Sequence, residues 1–421
     1  MIYLDDIDSY TGRNCALFSN FMHLKTIIIF FLLLVFASVW LVFFLGWIDG
    51  SLQDGDRFQC HWFCPEVLGG GIIVKNKQQL IEWCIEQCSN GPNRSLPVIL
   101  SWTNFFGDPF MNKSTLNGSL SNCPYQCIYT DNRRFELYAS AIVFHIPDLN
   151  PLSLPKRRQD VLNVFFIEES PAWRWKWWIF SYKFLPKSYF NLTMTYRKDS
   201  DIFAPYGAFY PIENQIEKDD IWSQSDVHSA MLKKSSPILF LVSNCNTLSK
   251  RELYVQELAK YINITQFGKC ANEFCDANCE DEQIKKHYFY LAFENSVCND
   301  YITEKFWRLK KLIVPIVLDR KLVENTIPAD VFIAASDFKD PSKLADYLQY
   351  LIKNPNEYAK YFNWTKKFQK SYKEPPRENR LCKLCEMAHR NVHKEIPNIE
   401  KWWVHGSDCY DDYTEYLLEE S

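Results

Sequence analysis

Apolar residues follow two patterns along the chain. From Thr26 to Ile48 they run without a charge, TIIIFFLLLVFASVWLVFFLGWI. As a helix this stretch reaches about 34 Å, enough to cross a bilayer's hydrocarbon core, and no small-residue cleavage site follows it. Beyond it the apolar runs are short and alternate with segments of helical period. LPVILSW (96–102), AIVFHI (141–146) and VLNVFFI (161–167) read as strands. PILFLVS (237–243), HYFYLAF (287–293), LIVPIVL (312–318) and VFIAA (331–335) form a second set. Helices are expected over 249–262, where Val255, Leu258 and Ile262 share a face, near 300–311, and over 341–370. Apolar strands alternating with helices imply parallel sheets buried on both faces.

Two such sets predict two doubly wound α/β domains facing a cleft. The expected order is a cytosolic tail (1–25), a membrane signal-anchor (26–48) and a Cys-bearing stem (49–94). An N-terminal domain (95–230), a C-terminal domain (231–372) and a Cys-bearing tail (373–421) follow, with polar KDD and KKSS segments marking a linker at 220–236. The acidic final stretch, 408–421, reads as solvated. Arg13 and Lys25 precede the apolar span and only Arg57 follows closely, which places the N-terminus in the cytosol. Six Asn-x-Ser/Thr sequons, at Asn93, Asn112, Asn117, Asn191, Asn263 and Asn363, all lie beyond the span. So do 14 of the 15 cysteines. An even number in an oxidising lumen reads as disulfides, with a Cys₄ zinc site as the rival for pairs such as Cys123/Cys127 and Cys382/Cys385. Spacing leaves the connectivity open. The net charge of −4 excludes a chain whose main affinity is for nucleic acid.

The strongest chemical signal is the run FYLAFENSVCNDYITEKFWR (289–308). Its strand ends in Glu294 and Asn295, at the carboxyl edge of a parallel sheet, where open α/β folds bind ligands. On a helical wheel Tyr301, Glu304, Lys305 and Arg308 form one stripe, and Ile302, Phe306 and Leu309 another. The first stripe offers an aromatic ring, a carboxylate and cations beside a helix N-terminus, a socket for a ribose and a diphosphate. A surface helix carrying Glu/Lys neighbours is the alternative. Ser249-Lys250-Arg251-Glu252 fits a capping box, and cations in its first turn make sense where an anion also sits.

FYLAFENSVCNDYITEKFWR strongly resembles the donor-binding signature of eukaryotic α1,3-fucosyltransferases, both Lewis-type and N-glycan core-type. FNLTMTYRKDSDIFAPYG (190–207) resembles that family's second block. DNRRFELYASAIVFHIPDL, FFIEESPA, LVSNCNTLSKRELYVQEL and the late Cys382-x-x-Cys385 fall in the expected order. The resemblance covers roughly 96–390. It implies a GT-B-like fold of two Rossmann-like domains on one N-terminal transmembrane helix, in a single-pass type II protein of the Golgi membrane. It also implies that late disulfides tie the tail back to the fold.

By the same resemblance Glu169 is the general base, with Glu168 as its rival. Arg251 faces the GDP phosphates. Asn295, Tyr301, Glu304 and Lys305 bind the donor, to which Glu294 and Arg197 are added. No cofactor is strictly required. Mn²⁺ or Mg²⁺ would at most stimulate, although Asp199-Ser200-Asp201 looks like the D-x-D that holds manganese in other glycosyltransferases. The expected partners are GDP-fucose, an N-glycan acceptor on glycoproteins, and the membrane. The Cys298-Asn299-Asp300 spelling and the 320–324 run resemble invertebrate core-type enzymes, which favours the core GlcNAc. Ile146 and Pro147 stand where Lewis-type relatives commonly have His-Arg. A Lewis-type antennal enzyme and a catalytically silent lectin-like relative are the alternatives. Trp173, Trp175, Trp177 and Trp178 offer either a stacking platform for acceptor sugars or a packed loop.

Overall fold

The computed structural model describes residues 96–115, 120, 123–172, 185–214, 221–307, 312–371 and 379–419. The expected span at 26–48, the stem, Asn93, Asn117, the tryptophans at 173–178, Arg308 and Leu309 lie outside the described residues. Among the described residues no helix is long and apolar enough to cross a membrane.

The first sheet comprises β1 (Val98–Ser101), β2 (Ile128–Thr130), β3 (Ala139–His145), β4 (Leu162–Ile167), β5 (Leu192–Thr195) and β6 (Ile202–Phe203). β7 (Ala208–Pro211) leaves this sheet. The second sheet comprises β8 (Ser236–Leu241), β9 (Ile264–Phe267), β10 (His287–Leu291), β11 (Val314–Val317) and β12 (Ile333–Ala334). β13 (Phe368–Ser371) pairs antiparallel with β7. The strand orders are β2-β1-β3-β4-β5-β6 and β12-β11-β10-β8-β9, and every pairing within these two sheets is parallel. Each sheet therefore reverses direction once, between β1 and β3 and between β8 and β10. Such switch points open a crevice at the carboxyl ends of the strands.

Strand alternation explains why these segments read as continuous apolar runs. In β4, Phe165 and Ile167 face one core with Phe144 and Trp403, while Val164 and Phe166 face another with Leu381 and Leu384. In β10, Phe289 and Leu291 face one core, and Tyr290 faces the other with Phe306 and Trp307. Each such fully buried side chain contributes about 1.5–3 kcal/mol.

Several expectations are corrected. The long helix over 341–370 is Pro341–Lys353, capped by Asp340, then Pro355–Ala359, a 3₁₀ stretch over Lys360–Lys366, and β13. Pro355 lacks an N–H and drives the preceding Asn354 out of the helical region, to φ −123° and ψ 79°. The helix near 300–311 is helical only over Glu304–Trp307 within the described residues, and Asp300 precedes it at φ 61°. The linker at 220–236 contains a helix, Gln224–Met231, whose Ser223–Asp226 capping box fixes its start and whose Val227 enters the second domain's core. Asn191 is buried, donates its Nδ2 to the Lys394 carbonyl at 2.7 Å and accepts from the Asn163 N–H at 2.9 Å. A glycan needs that amide free, so this sequon is unsuitable in the folded chain. Asn263 and Asn363 are exposed.

The acidic tail is not solvated along its length. Tyr410 N–H donates to Val297 O at 2.8 Å, Asp412 N–H to Leu248 O at 2.7 Å and Thr414 N–H to Ser249 O at 3.1 Å. The Tyr413–Glu419 helix lays Tyr413, Leu417 and Leu418 on the second core. Cys409 bonds Cys298, closing a separation of 111 residues. The paired motifs cross-link rather than close on themselves: Cys123–Cys382 and Cys127–Cys385 fasten the Arg380–His389 helix to the first sheet. With Cys245–Cys270 and Cys275–Cys279, these bonds engage every cysteine among the described residues, so none of those thiols is left for a zinc site. Replacing both Cys298 and Cys409 by Ser is expected to cost about 2–4 kcal/mol, read as a lower denaturant midpoint. An unchanged midpoint would show that the tail docks without its bond.

Candidate active site

The carboxyl ends of β8 and β10 meet at Arg251, the first residue of the Arg251–Leu258 helix. It is 3% exposed. One terminal nitrogen donates to Phe293 O at 2.5 Å and the other to Asn244 O at 3.1 Å, while Nε has no partner. Arg251 thus joins the two strand ends of the switch point and keeps its Nε–H unpaired. Burial lowers its pKa, a cost that a bound anion would reverse.

The capping box expected here does not form. Lys250 occupies the N-cap in the left-handed region, at φ 53°. The Ser249 hydroxyl instead donates to Glu294 O at 2.8 Å, and Glu252 accepts from the N–H and hydroxyl of Thr247 at 3.2 and 2.9 Å. Lys250 pairs at 3.8 Å with Asp412 of the docked tail.

Glu294 closes the turn after β10. Its carboxylate accepts from Thr303 N–H at 2.8 Å and from the Thr303 hydroxyl, and it pairs with Lys305 Nζ at 3.0 Å. Lys305 also pairs with Glu304 at 3.1 Å. Burial lowers the Lys305 pKa, but Glu294 and Glu304 outweigh it and hold the ammonium above its ordinary value. Burial likewise raises Glu304, and Lys305 more than offsets this, leaving its carboxyl low. Asn295 lies beside them with its Oδ1 buried and unpartnered.

From the other half of the molecule, β4 delivers two adjacent glutamates with separate fates. Glu168 is consumed by an ion pair with Arg380. Glu169 accepts a hydrogen bond from the Tyr301 hydroxyl at 3.1 Å. Burial raises the Glu169 pKa, opposed by the Tyr301 bond and the Lys305 charge. Tyr301 itself is 3% exposed, and burial holds its phenol far above the ordinary value, so it stays protonated and donates.

Glu169, Arg251, Asn295, Tyr301, Glu304 and Lys305 line one cavity of about 340 Å³. The sequence signature thus converges on one place, although Tyr301 reaches it from a loop and not from a helix. Gly268 shapes the floor: at φ +105°, a Cβ there would lie 2.3 Å from Val242 O. Ser243, Asn244, Phe267, Gly268, Cys275 and Glu280 also line the cavity and were missed. Ser243 and Asn244 were within reach, since they directly follow an apolar strand. A cavity of about 640 Å³, lined by Ser140, Leu162 and Asn191 among others, lies at the strands' amino ends and contains none of these groups.

Two expected donor residues take other roles. Arg197 spends its guanidinium on Asp199 at 2.8 and 2.5 Å, Trp402 O at 2.6 Å and Ser407 Oγ at 3.1 Å, and it stacks on the Trp402 ring. It fastens the chain after β5 to the C-terminal segment and is absent from the cavity wall. Glu294 positions Lys305 and Thr303 instead of lining the cavity. The D-x-D carboxylates are similarly engaged: Asp199 with Arg197, and Asp201 with Thr193 and Lys394.

The Tyr301–Glu169 bond makes a pH prediction. It favours the carboxylate, the form able to accept a proton. In Tyr301→Phe the Glu169 pKa rises further, so the acidic limb of kcat/KM should move to higher pH. An unmoved limb would separate Glu169 from the ionisation that controls turnover.

Residues 94–207 match the family described as fucosyltransferase, N-terminal, and residues 231–402 match glycosyltransferase family 10 (fucosyltransferase), C-terminal. The alpha-(1,3)-fucosyltransferase fut-1 of Caenorhabditis elegans is 32% identical, over 73% of this chain and 69% of that protein. Alpha-(1,3)-fucosyltransferase C of Drosophila melanogaster is 31% identical, over 74% and 79%. The 4-galactosyl-N-acetylglucosaminide 3-alpha-L-fucosyltransferase FUT6 of Pongo pygmaeus is 33% identical, over 74% and 84%. With both halves of the chain matched, and with the residues of its signature gathered on one cavity wall, this protein belongs to glycosyltransferase family 10, the fucosyltransferases.

Proposed function

We propose that the protein transfers L-fucose from GDP-fucose, with inversion, to the 3-hydroxyl of a GlcNAc residue in a glycoprotein N-glycan, the core GlcNAc. One observation carries the reading: Glu169 from the first sheet and Arg251 and Lys305 from the second line the same cavity. The names of the related proteins supply the α1,3 linkage.

The acceptor oxygen attacks fucose C1 opposite the leaving group. Glu169 takes the hydroxyl proton as the new C–O bond forms. The bond from C1 to the β-phosphate oxygen breaks, and its electron pair leaves with GDP. Arg251 and Lys305 hold the charge that develops there, so no metal is needed for that step. Glu169 then releases its proton to water.

The core-type spelling at 298–300 and the buried Ile146 with Pro147 after β3 support the core acceptor. Similarity to the primate 4-galactosyl-N-acetylglucosaminide enzyme favours a second reading, fucosylation of N-acetyllactosamine antennae. Intact Glu169, Arg251 and Lys305 argue against a silent lectin-like relative. The apolar span, the sequons and the five cross-links among the described residues support a single-pass type II protein of the Golgi membrane, with its catalytic part lumenal. Incubating the purified protein with GDP-fucose on a glycan array, with and without chelator, tests the reading. Core GlcNAc labelling that survives chelation is expected. Labelling of lactosamine antennae alone would favour the second reading, and no labelling would overturn both.

A further inference from the structure

Asp300 carries the left-handed step in the turn that leads from β10 to Tyr301. Its φ is 61°, where most side chains are strained and Asp, Asn and Gly are tolerated. Short backbone bonds close the turn around it: the Tyr301 N–H donates to Cys298 O at 3.2 Å, and the Ile302 N–H to Asp300 O at 3.0 Å. The C-terminal segment fixes the residues just before it. Val297 O accepts from the Tyr410 N–H at 2.8 Å, the Asn299 N–H donates to Ser407 O at 2.9 Å, and Cys298 bonds Cys409.

Asp300 itself is held from the first half of the molecule. Its Oδ2 accepts the Lys198 N–H at 3.1 Å, from the turn between β5 and β6. The Lys198 ammonium reaches Asn325 O, so this turn touches the second half twice. One residue further on, the Tyr301 hydroxyl donates to Glu169, which follows β4, at 3.1 Å. Two consecutive residues thus grip the ends of neighbouring strands of the first sheet. We propose that Asp300 is a positioning residue for fucose transfer: its carboxylate, held by the Lys198 N–H, fixes the left-handed step that aims the Tyr301 hydroxyl at Glu169. The proposal rests on the reading of Glu169 as the base.

Asp300→Gly takes a positive φ freely and lacks only the acceptor, so it should fold, which a thermal melt checks. Without the grip of Lys198, Tyr301 is no longer aimed at Glu169. The acidic limb of kcat/KM should then move to higher pH, as in Tyr301→Phe, and kcat should fall roughly 10- to 100-fold. The sign separates this from a charge effect. Tyr301, Lys305, Glu304 and Glu294 act on Glu169 from the second half, Tyr206 lies beside it, and the adjacent Glu168 is paired with Arg380. Taking one more carboxylate from this surrounding would lower the Glu169 pKa and move the limb the other way. Asp300→Asn removes the same charge but keeps an oxygen for Lys198 and tolerates the turn, so its limb should not rise. Asp300→Gly combined with Tyr301→Phe should lie where Tyr301→Phe alone lies, since both changes remove one bond. A limb at the parent's position in Asp300→Gly, or one raised equally in Asp300→Asn, would overturn the assignment. An unmoved limb in Tyr301→Phe would instead overturn the reading of Glu169 on which it rests.

Discussion

Glu169→Gln is expected to abolish fucose transfer while leaving GDP binding intact. The substitution removes the only function that needs a carboxylate, proton acceptance, which is worth about 10²–10⁴ in rate. It should cost little structure. The amide oxygen can still accept from Tyr301, whose hydroxyl lies 3.1 Å from the carboxylate. The lost charge is one that burial disfavours. Turnover and GDP affinity measured on the same preparation check this. Glu168→Gln is the contrast: it leaves Arg380 without that ion pair, so its loss should appear in stability before turnover. Normal transfer by Glu169→Gln would move the base elsewhere.

The second large effect is expected at Lys305, which supports the fold through Glu294 and, on the function proposed above, binds the donor as well. Lys305→Ala removes a cavity-lining ammonium, the one proposed to hold the diphosphate, and also strands Glu294, its partner at 3.0 Å. Donor affinity should fall roughly 10- to 100-fold, and stability by about 3 kcal/mol, since an uncompensated buried carboxylate is costly. The two losses separate in a double variant. Glu294→Gln combined with Lys305→Ala relieves the stranded charge, so stability should largely return while GDP affinity stays low. Recovery of both would mean that Lys305 acts only through the fold, and recovery of neither would mean that Glu294 matters beyond its charge.

The parallel sheets were legible because segments such as LNVFFI and VPIV are buried on both faces and admit few polar residues. β5 and β9 escaped notice because LTMT and ITQF look like polar surface. Thr193 and Thr195 are nonetheless buried, since Asp201 and Ser200 return from the next turn to bond them. The acidic tail misled for a related reason. Its carboxylates dominate the composition, while its anchoring comes from backbone bonds, Cys409 and buried Thr414. At the site, Asn295, Tyr301 and Lys305 were readable because a strand end and one short turn fix them locally. Arg197 was not: whether a guanidinium meets a ligand or a partner was decided by Trp402 and Ser407, more than 200 residues away.

On the function proposed above, the strand end at Asn295 and the turn opening at Tyr301 form, with Arg251, a binding site for a guanosine diphosphate. Isothermal titration of GDP into the purified protein tests it most directly. Saturable heat at one GDP per chain is expected, with affinity reduced in Lys305→Ala and retained in Glu169→Gln. No heat of association with the correctly folded, fully cross-linked protein would contradict it.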